Sequence, residues 1–181
     1  RRSSRRLVER VAPGAADYRA IASARRRHLV EVDQPLVLIT QMQRSGGTLL
    51  LRLFDGHPAC HTVPYQLPPL RLGDDLSEAR AVWRALHDER LHKRLEHGFG
   101  QKRRFDASDA RQPFILPPSL QRTIFDGRAR AAHSERDLFD AYWTSYFNAW
   151  LDNRNLRSTP KRWVVAFRPG VIGGKRTITR V

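Results

Sequence analysis

Leu36-Val37-Leu38-Ile39-Thr40-Gln41-Met42-Gln43-Arg44-Ser45-Gly46-Gly47-Thr48-Leu49-Leu50 is the stretch that decides the fold. Its first five residues form a short apolar run rich in branched side chains, which predicts a strand buried on both faces, as in a parallel sheet. Gln41 to Gly47 is polar and ends in two glycines. From Thr48 to Asp55 the apolar residues fall at 49, 50, 53 and 54, which is helical spacing, and Gly56 and Pro58 stop that helix. The order is strand, glycine loop, helix.

Working outward, residues 15–29 predict an Ala/Arg-rich helix after a basic tail at 1–13, and Asp33-Gln34-Pro35 breaks the chain before the first strand. His61 to Tyr65 predicts a second strand, with Pro64 confining it to an edge or a strand end. Residues 64–76 read as a Pro-rich loop. Ser77 is the expected cap of a charged helix through about Leu95, with Val82, Leu86, Leu91 and Leu95 inward. Gly98 to Pro118 reads as irregular. Ser134-Glu135-Arg136-Asp137 resembles a capping box. Behind it Leu138, Phe139, Tyr142, Trp143, Tyr146, Phe147, Trp150 and Leu151 recur at i, i+3, i+4, an aromatic face read as core packing. Residues 153–162 form a polar loop, and Trp163 to Phe167 predicts a third strand. Strands alternating with helices point to an α/β fold.

With 181 residues the chain suits one domain, divided here into a basic N-terminal tail and helix (1–34) and a main domain (35–181). No apolar run approaches the roughly 18 residues of a membrane span, and no secretory signal is recognisable. The single cysteine, Cys60, excludes an intramolecular disulfide, and no Cys/His spacing suggests zinc. Cytoplasmic location is the expectation. The net charge of +15 attracts anions. Basic residues are spread along the whole chain without a nucleic-acid-binding motif, so an enzyme for an anionic nucleotide is the expectation over a nucleic-acid binder.

A strand delivering a glycine loop into a helix suits phosphate: successive amides converge on an anion, and glycine lets the backbone approach closely. Against G-x-x-x-x-G-K-[ST], Gln41 stands at the first glycine, Gly46 at the second, Gly47 at the lysine and Thr48 at the hydroxyl. Two of the four positions differ, which argues against an ordinary ATPase or GTPase.

The combination Gln43-Arg44-Ser45-Gly46-Gly47-Thr48-Leu49-Leu50, followed by Leu53-Phe54-Asp55-Gly56-His57-Pro58, resembles the sulfotransferases that use phosphoadenosine phosphosulfate (PAPS). Val63-Pro64-Tyr65-Gln66-Leu67 resembles the end of their second strand. The specific likeness covers residues 35–70, about a fifth of the chain. It implies a P-loop-like three-layer α/β fold with a parallel sheet, carried incompletely by a chain that begins at Arg1 and ends at Val181. It implies PAPS as sulfuryl donor, no metal, and a small-molecule or glycan acceptor bearing a hydroxyl or amine. Gln43, Arg44, Ser45, Gly46, Gly47, Thr48 and Leu49 would bind the 5′-phosphosulfate, with Arg44 as the catalytic residue neutralising the bridging oxygen. A 3′-phosphate site would follow the third strand, where Arg168-Pro169-Gly170 departs from the family's context.

Three other departures matter. Gln43 replaces a common proline, Gly47 a common threonine, and Gln66 stands where relatives often carry the glutamate that serves as general base; an amide takes no proton at neutral pH. His57, in a helix stop, reads as a surface residue, and His61 is left open. The main alternative is a nucleotide- or polyanion-binding protein with a degenerate phosphate loop and no catalysis. A degenerate P-loop kinase is the third.

Overall fold

A computed structural model of the chain describes residues 15–41, 45–66, 75–85, 116–151, 153 and 155–169. The basic tail at 1–13, the second half of the expected charged helix and nearly all of the expected irregular stretch from Gly98 lie outside these residues. The elements run α1 (Ala15–Arg27), β1 (Leu36–Gln41), α2 (Gly47–Leu53), β2 (Cys60–Gln66), α3 (Leu76–Ala85), α4 (Pro118–Ala129), α5 (Glu135–Ala149) and β3 (Trp163–Pro169).

The three strands form one parallel sheet in the order β1-β3-β2. The last of the described strands is therefore the middle one, and its apolar run explains the choice: Val164, Val165 and Ala166 are all buried. β1 differs from expectation. Val37 is 37% exposed, and Leu36, Leu38 and Ile39 are only partly buried. Among the described residues β1 pairs with β3 alone, and the seven-residue α2 is too short to cover its whole outer face. β2 is likewise an edge among the described residues, as Pro64 requires. The β2–β3 register shifts between Thr62 and Gln66, around the residue that has no N–H to give the ladder.

The main core lies on one side of the sheet. Val63, Val164 and Ala166 pack there against α3, α4 and α5. The aromatic face of α5 is core, as expected: Trp143 meets Phe139, Tyr142, Tyr146 and Phe147 at centroid distances of 6.1, 5.1, 5.4 and 6.1 Å. Most of these pairs are edge-on or tilted, the arrangement that the ring quadrupole favours. On the opposite face Leu51 of α2 and Phe54 just after it pack against Ile39, Cys60 and Val165.

The helix ends follow local rules. Ser134 and Asp137 form the expected reciprocal box: the Asp137 amide donates to Ser134 Oγ at 3.1 Å, and the Ser134 amide donates to Asp137 Oδ2 at 2.9 Å. At α3 the cap is Asp75 rather than Ser77, because Asp75 Oδ1 accepts from the Glu78 amide at 2.8 Å and from the Ser77 hydroxyl. The buried face of α3 is carried by Ala79 and Trp83, with Val82 only partly covered. Sequence reasoning placed no helix between Pro118 and Ser134. α4 forms there because Pro118 occupies its first turn, where a missing N–H costs nothing. Leu120, Ile124 and Phe125 then turn inward one helical turn apart.

Candidate functional site

The glycine loop lies at the carboxyl end of β1, the end at which open parallel sheets build their clefts. Gln43 and Arg44 fall outside the described residues. Ser45 and Gly46 are exposed, Thr48 is half-buried, and Gly47 is buried as the first residue of α2. Gly46 has φ 92° and ψ 5°, a left-handed conformation that an L side chain adopts only at a cost. Its carbonyl accepts from the Leu50 amide at 3.0 Å, closing the first turn. A Cβ at Gly46 would meet no atom within 4 Å, so open space faces this part of the loop. Leu49, expected at the site, carries its side chain outward at 66% exposure. Of the expected apolar positions Leu49, Leu50 and Leu53 stay exposed and Phe54 is partly buried, while Leu51, outside that set, supplies the anchor.

The parallel register gathers other backbone at the same end. Thr40 is opposite Arg168, Gln41 opposite Pro169, and Gln66 opposite Phe167. The ends of three strands thus converge beside the loop, and the position that lacks the expected glutamate is among them.

Neither histidine is a convincing base. His57 is exposed, and its Nδ1 accepts from the Ala59 amide at 3.2 Å within a turn. His61 is 2% exposed and stacks 4.9 Å from Phe147, on the face of the sheet away from α2. Burial, with a smaller contribution from the Lys161 charge, lowers its pKa to about 4, so it is neutral near pH 7.

Asp55-Gly56-His57-Pro58 is a structural turn. Gly56 takes a positive φ of 73° as the chain leaves α2. The segment 155–162 is then stitched onto it. Asn155 Nδ2 donates to the carbonyls of His57 at 3.1 Å and Cys60 at 3.4 Å, Thr159 Oγ1 and Lys161 Nζ each donate to the Pro58 carbonyl at 2.6 Å, and the Arg162 amide donates to Ala59 at 2.8 Å. Lys161 Nζ also donates to Asn155 Oδ1 and Ser158 Oγ, each at 3.2 Å, so the ammonium is spent on orienting this loop. The Cys60 thiol beside it is buried, which pushes its pKa up. Asn155 and Lys161 carry this clamp without any sequence signal beyond a polar loop.

Among the described residues no three His, Cys, Asp or Glu side chains gather as metal ligands, and no helix is long and apolar enough to cross a membrane. Comparison of the chain with family models, with curated proteins and with solved structures finds no match.

Proposed function

We propose that the loop around Gly46 binds the 5′-phosphosulfate of PAPS and that the protein is a sulfotransferase. One observation carries the reading: Ser45-Gly46-Gly47-Thr48, in the sequence context of that family, leaves a parallel strand at its carboxyl end and opens a helix with Gly46 left-handed and facing open space. The residues present fit a phosphosulfate in this respect. Gly46 has no Cβ to block approach to the loop and faces open space, and the Ser45 and Thr48 hydroxyls lie on residues that solvent reaches.

In this reading the loop amides and the two hydroxyls hold the 5′-phosphate oxygens, and Arg44 balances charge on the bridging oxygen as the sulfur–oxygen bond to it breaks. The acceptor oxygen or nitrogen attacks sulfur in line, as in phosphoryl transfer, and adenosine 3′,5′-bisphosphate (PAP) departs. Positioning and charge stabilisation do most of the work. The P-loop-like three-layer fold belongs to the same proposal.

One placement favours a second reading, a nucleotide- or polyanion-binding protein without catalysis. Gln66 cannot take the acceptor's proton, and His61 is buried on the other face of the sheet. Calorimetry with PAP, in the presence and absence of EDTA, followed by turnover assays with PAPS, separates the possibilities. Metal-independent PAP binding with sulfuryl transfer supports the enzyme, and PAP binding without transfer supports the second reading. Binding abolished by EDTA would point to an NTP-dependent protein instead.

A further inference from the structure

Several arginines of the described fold pair with carboxylates, while Arg80 donates to the Ala132 carbonyl at 3.5 Å. Arg84 pairs with Asp126 at 3.0 Å, Arg136 with Asp140 at 2.9 Å, and Arg128 with Glu31. Arg25 and Arg157 are different. Arg25, in the last turn of α1, donates from Nη2 to the Asn153 carbonyl at 3.4 Å, and Arg157 donates to the His28 carbonyl just beyond the same helix. Among the described residues neither meets a carboxylate. The Nη1 of Arg25 is buried and makes no hydrogen bond.

Each guanidinium thus bonds to backbone across the junction of α1 with residues 153 and 155–158. The Arg25 pKa is lowered, first by burial and then by the Arg157 charge. The carbonyl end of α1 welcomes one cation, but it explains neither a second cation nor a buried N–H left without an acceptor, which is costly. Arg26 and Arg27 are exposed on the same turn and add to the positive potential. What would satisfy such a place is a ligand with several charged acceptor oxygens, which guanidinium forks match well.

We propose that Arg25 and Arg157 form a binding site for a tetrahedral oxyanion, a free phosphate or the phosphate of a monoester. The site lies where the end of α1 meets the loop that precedes β3. It shares no residue with the glycine loop at the carboxyl end of β1, so the site stands apart from the function proposed above.

The test is a titration with inorganic phosphate and, separately, glycerol 3-phosphate, at an ionic strength held constant with potassium chloride. Arginine side-chain NMR reads it on the unaltered protein. The Arg25 and Arg157 Nε–H signals should shift saturably while those of Arg84 and Arg136 stay in place. Arg25→Gln and Arg157→Gln should each weaken this binding at least tenfold, whereas Arg19→Gln, an exposed change on the same helix, should not. Tighter binding of the ester would identify a monoester as the ligand, and equal binding free phosphate. Arg44→Ala should leave these shifts intact, so failure here and failure at the glycine loop are distinguishable. Absent or unsaturable shifts at Arg25 and Arg157, or shifts equal to those of Arg84 and Arg136, would overturn the proposal even if the variants proved unstable.

Discussion

Asn148 holds both backbone groups of Val30, 118 residues away in sequence: its Nδ2 donates to the Val30 carbonyl at 2.8 Å, and the Val30 amide donates to its Oδ1 at 3.0 Å. One turn earlier on α5, Thr144 Oγ1 accepts from the Val32 amide at 2.9 Å. A side-chain amide thus imitates a neighbouring strand for the extended segment that leads into β1, and fixes where β1 begins.

Asn148→Leu tests that role. Leucine fills a similar volume in a site with 0% exposure, so the main loss is the pair of hydrogen bonds to Val30. Leaving buried backbone groups unsatisfied costs about 1–3 kcal/mol each. A loss of at least about 2 kcal/mol in urea unfolding is the expected result, and a change below about 0.5 kcal/mol would show that β1 is positioned by other contacts.

His61 predicts a pH dependence of stability. Its folded pKa is about 4, below the ordinary 6.5, so between those values the unfolded chain binds more protons than the folded one. Stability from this residue is therefore complete above pH 6.5 and is lost as pH falls towards 4. The span corresponds to an order of 3 kcal/mol at most. His61→Phe should flatten unfolding free energy over that window relative to the parent, and an unaltered slope would mean that other groups set the acid sensitivity.

Gly46→Ala isolates the backbone requirement of the loop. The added methyl meets no neighbour within 4 Å, so any effect comes from the positive φ of 92°, worth about 1–2 kcal/mol. Reduced stability together with weaker PAP binding is expected. Full stability and unchanged affinity would show that the loop relaxes freely and that its left-handed turn serves no ligand.

Arg44→Ala addresses the proposed charge on the bridging oxygen. Charge-assisted hydrogen bonds are worth roughly 1.5–3 kcal/mol, so PAP affinity should fall about ten- to hundredfold. Arg52→Ala, one turn into α2, should matter far less. Equal losses at both positions would reduce the effect to the diffuse attraction of a chain with net charge +15.

Much of the local order was legible in the residues alone. Strand, glycine loop and helix around Gly46 follow from an apolar run, two glycines and a Gly56-His57-Pro58 stop, and the cap at Ser134 follows from side chains that bond their own backbone nearby. Such features need only neighbours within a turn, so pattern and capping chemistry suffice to read them. The parallel pairing of the strands was expected from the apolar character of β1, but not the order that puts β3 between β1 and β2.

The rest depends on partners that meet only in the folded chain. Val37 is as apolar as Val165, yet one is 37% exposed and the other 1%, because the edge or the centre of a sheet is decided by pairing rather than by residue type. His57 and His61 have the same chemistry in isolation; a surface turn leaves one in water and Phe147 covers the other. Asn148 and Val30, Lys161 and Pro58, and Arg25 and Arg157 carry no signal in a linear pattern. The sequence by itself therefore determined the strand, loop and helix around Gly46, the cap at Ser134 and the chemistry available at the loop, but not α4. Tertiary structure alone decided which polar groups were desolvated, which were matched, and which charge was left without an acceptor, because those energies depend on the groups that surround a side chain and on the water it loses.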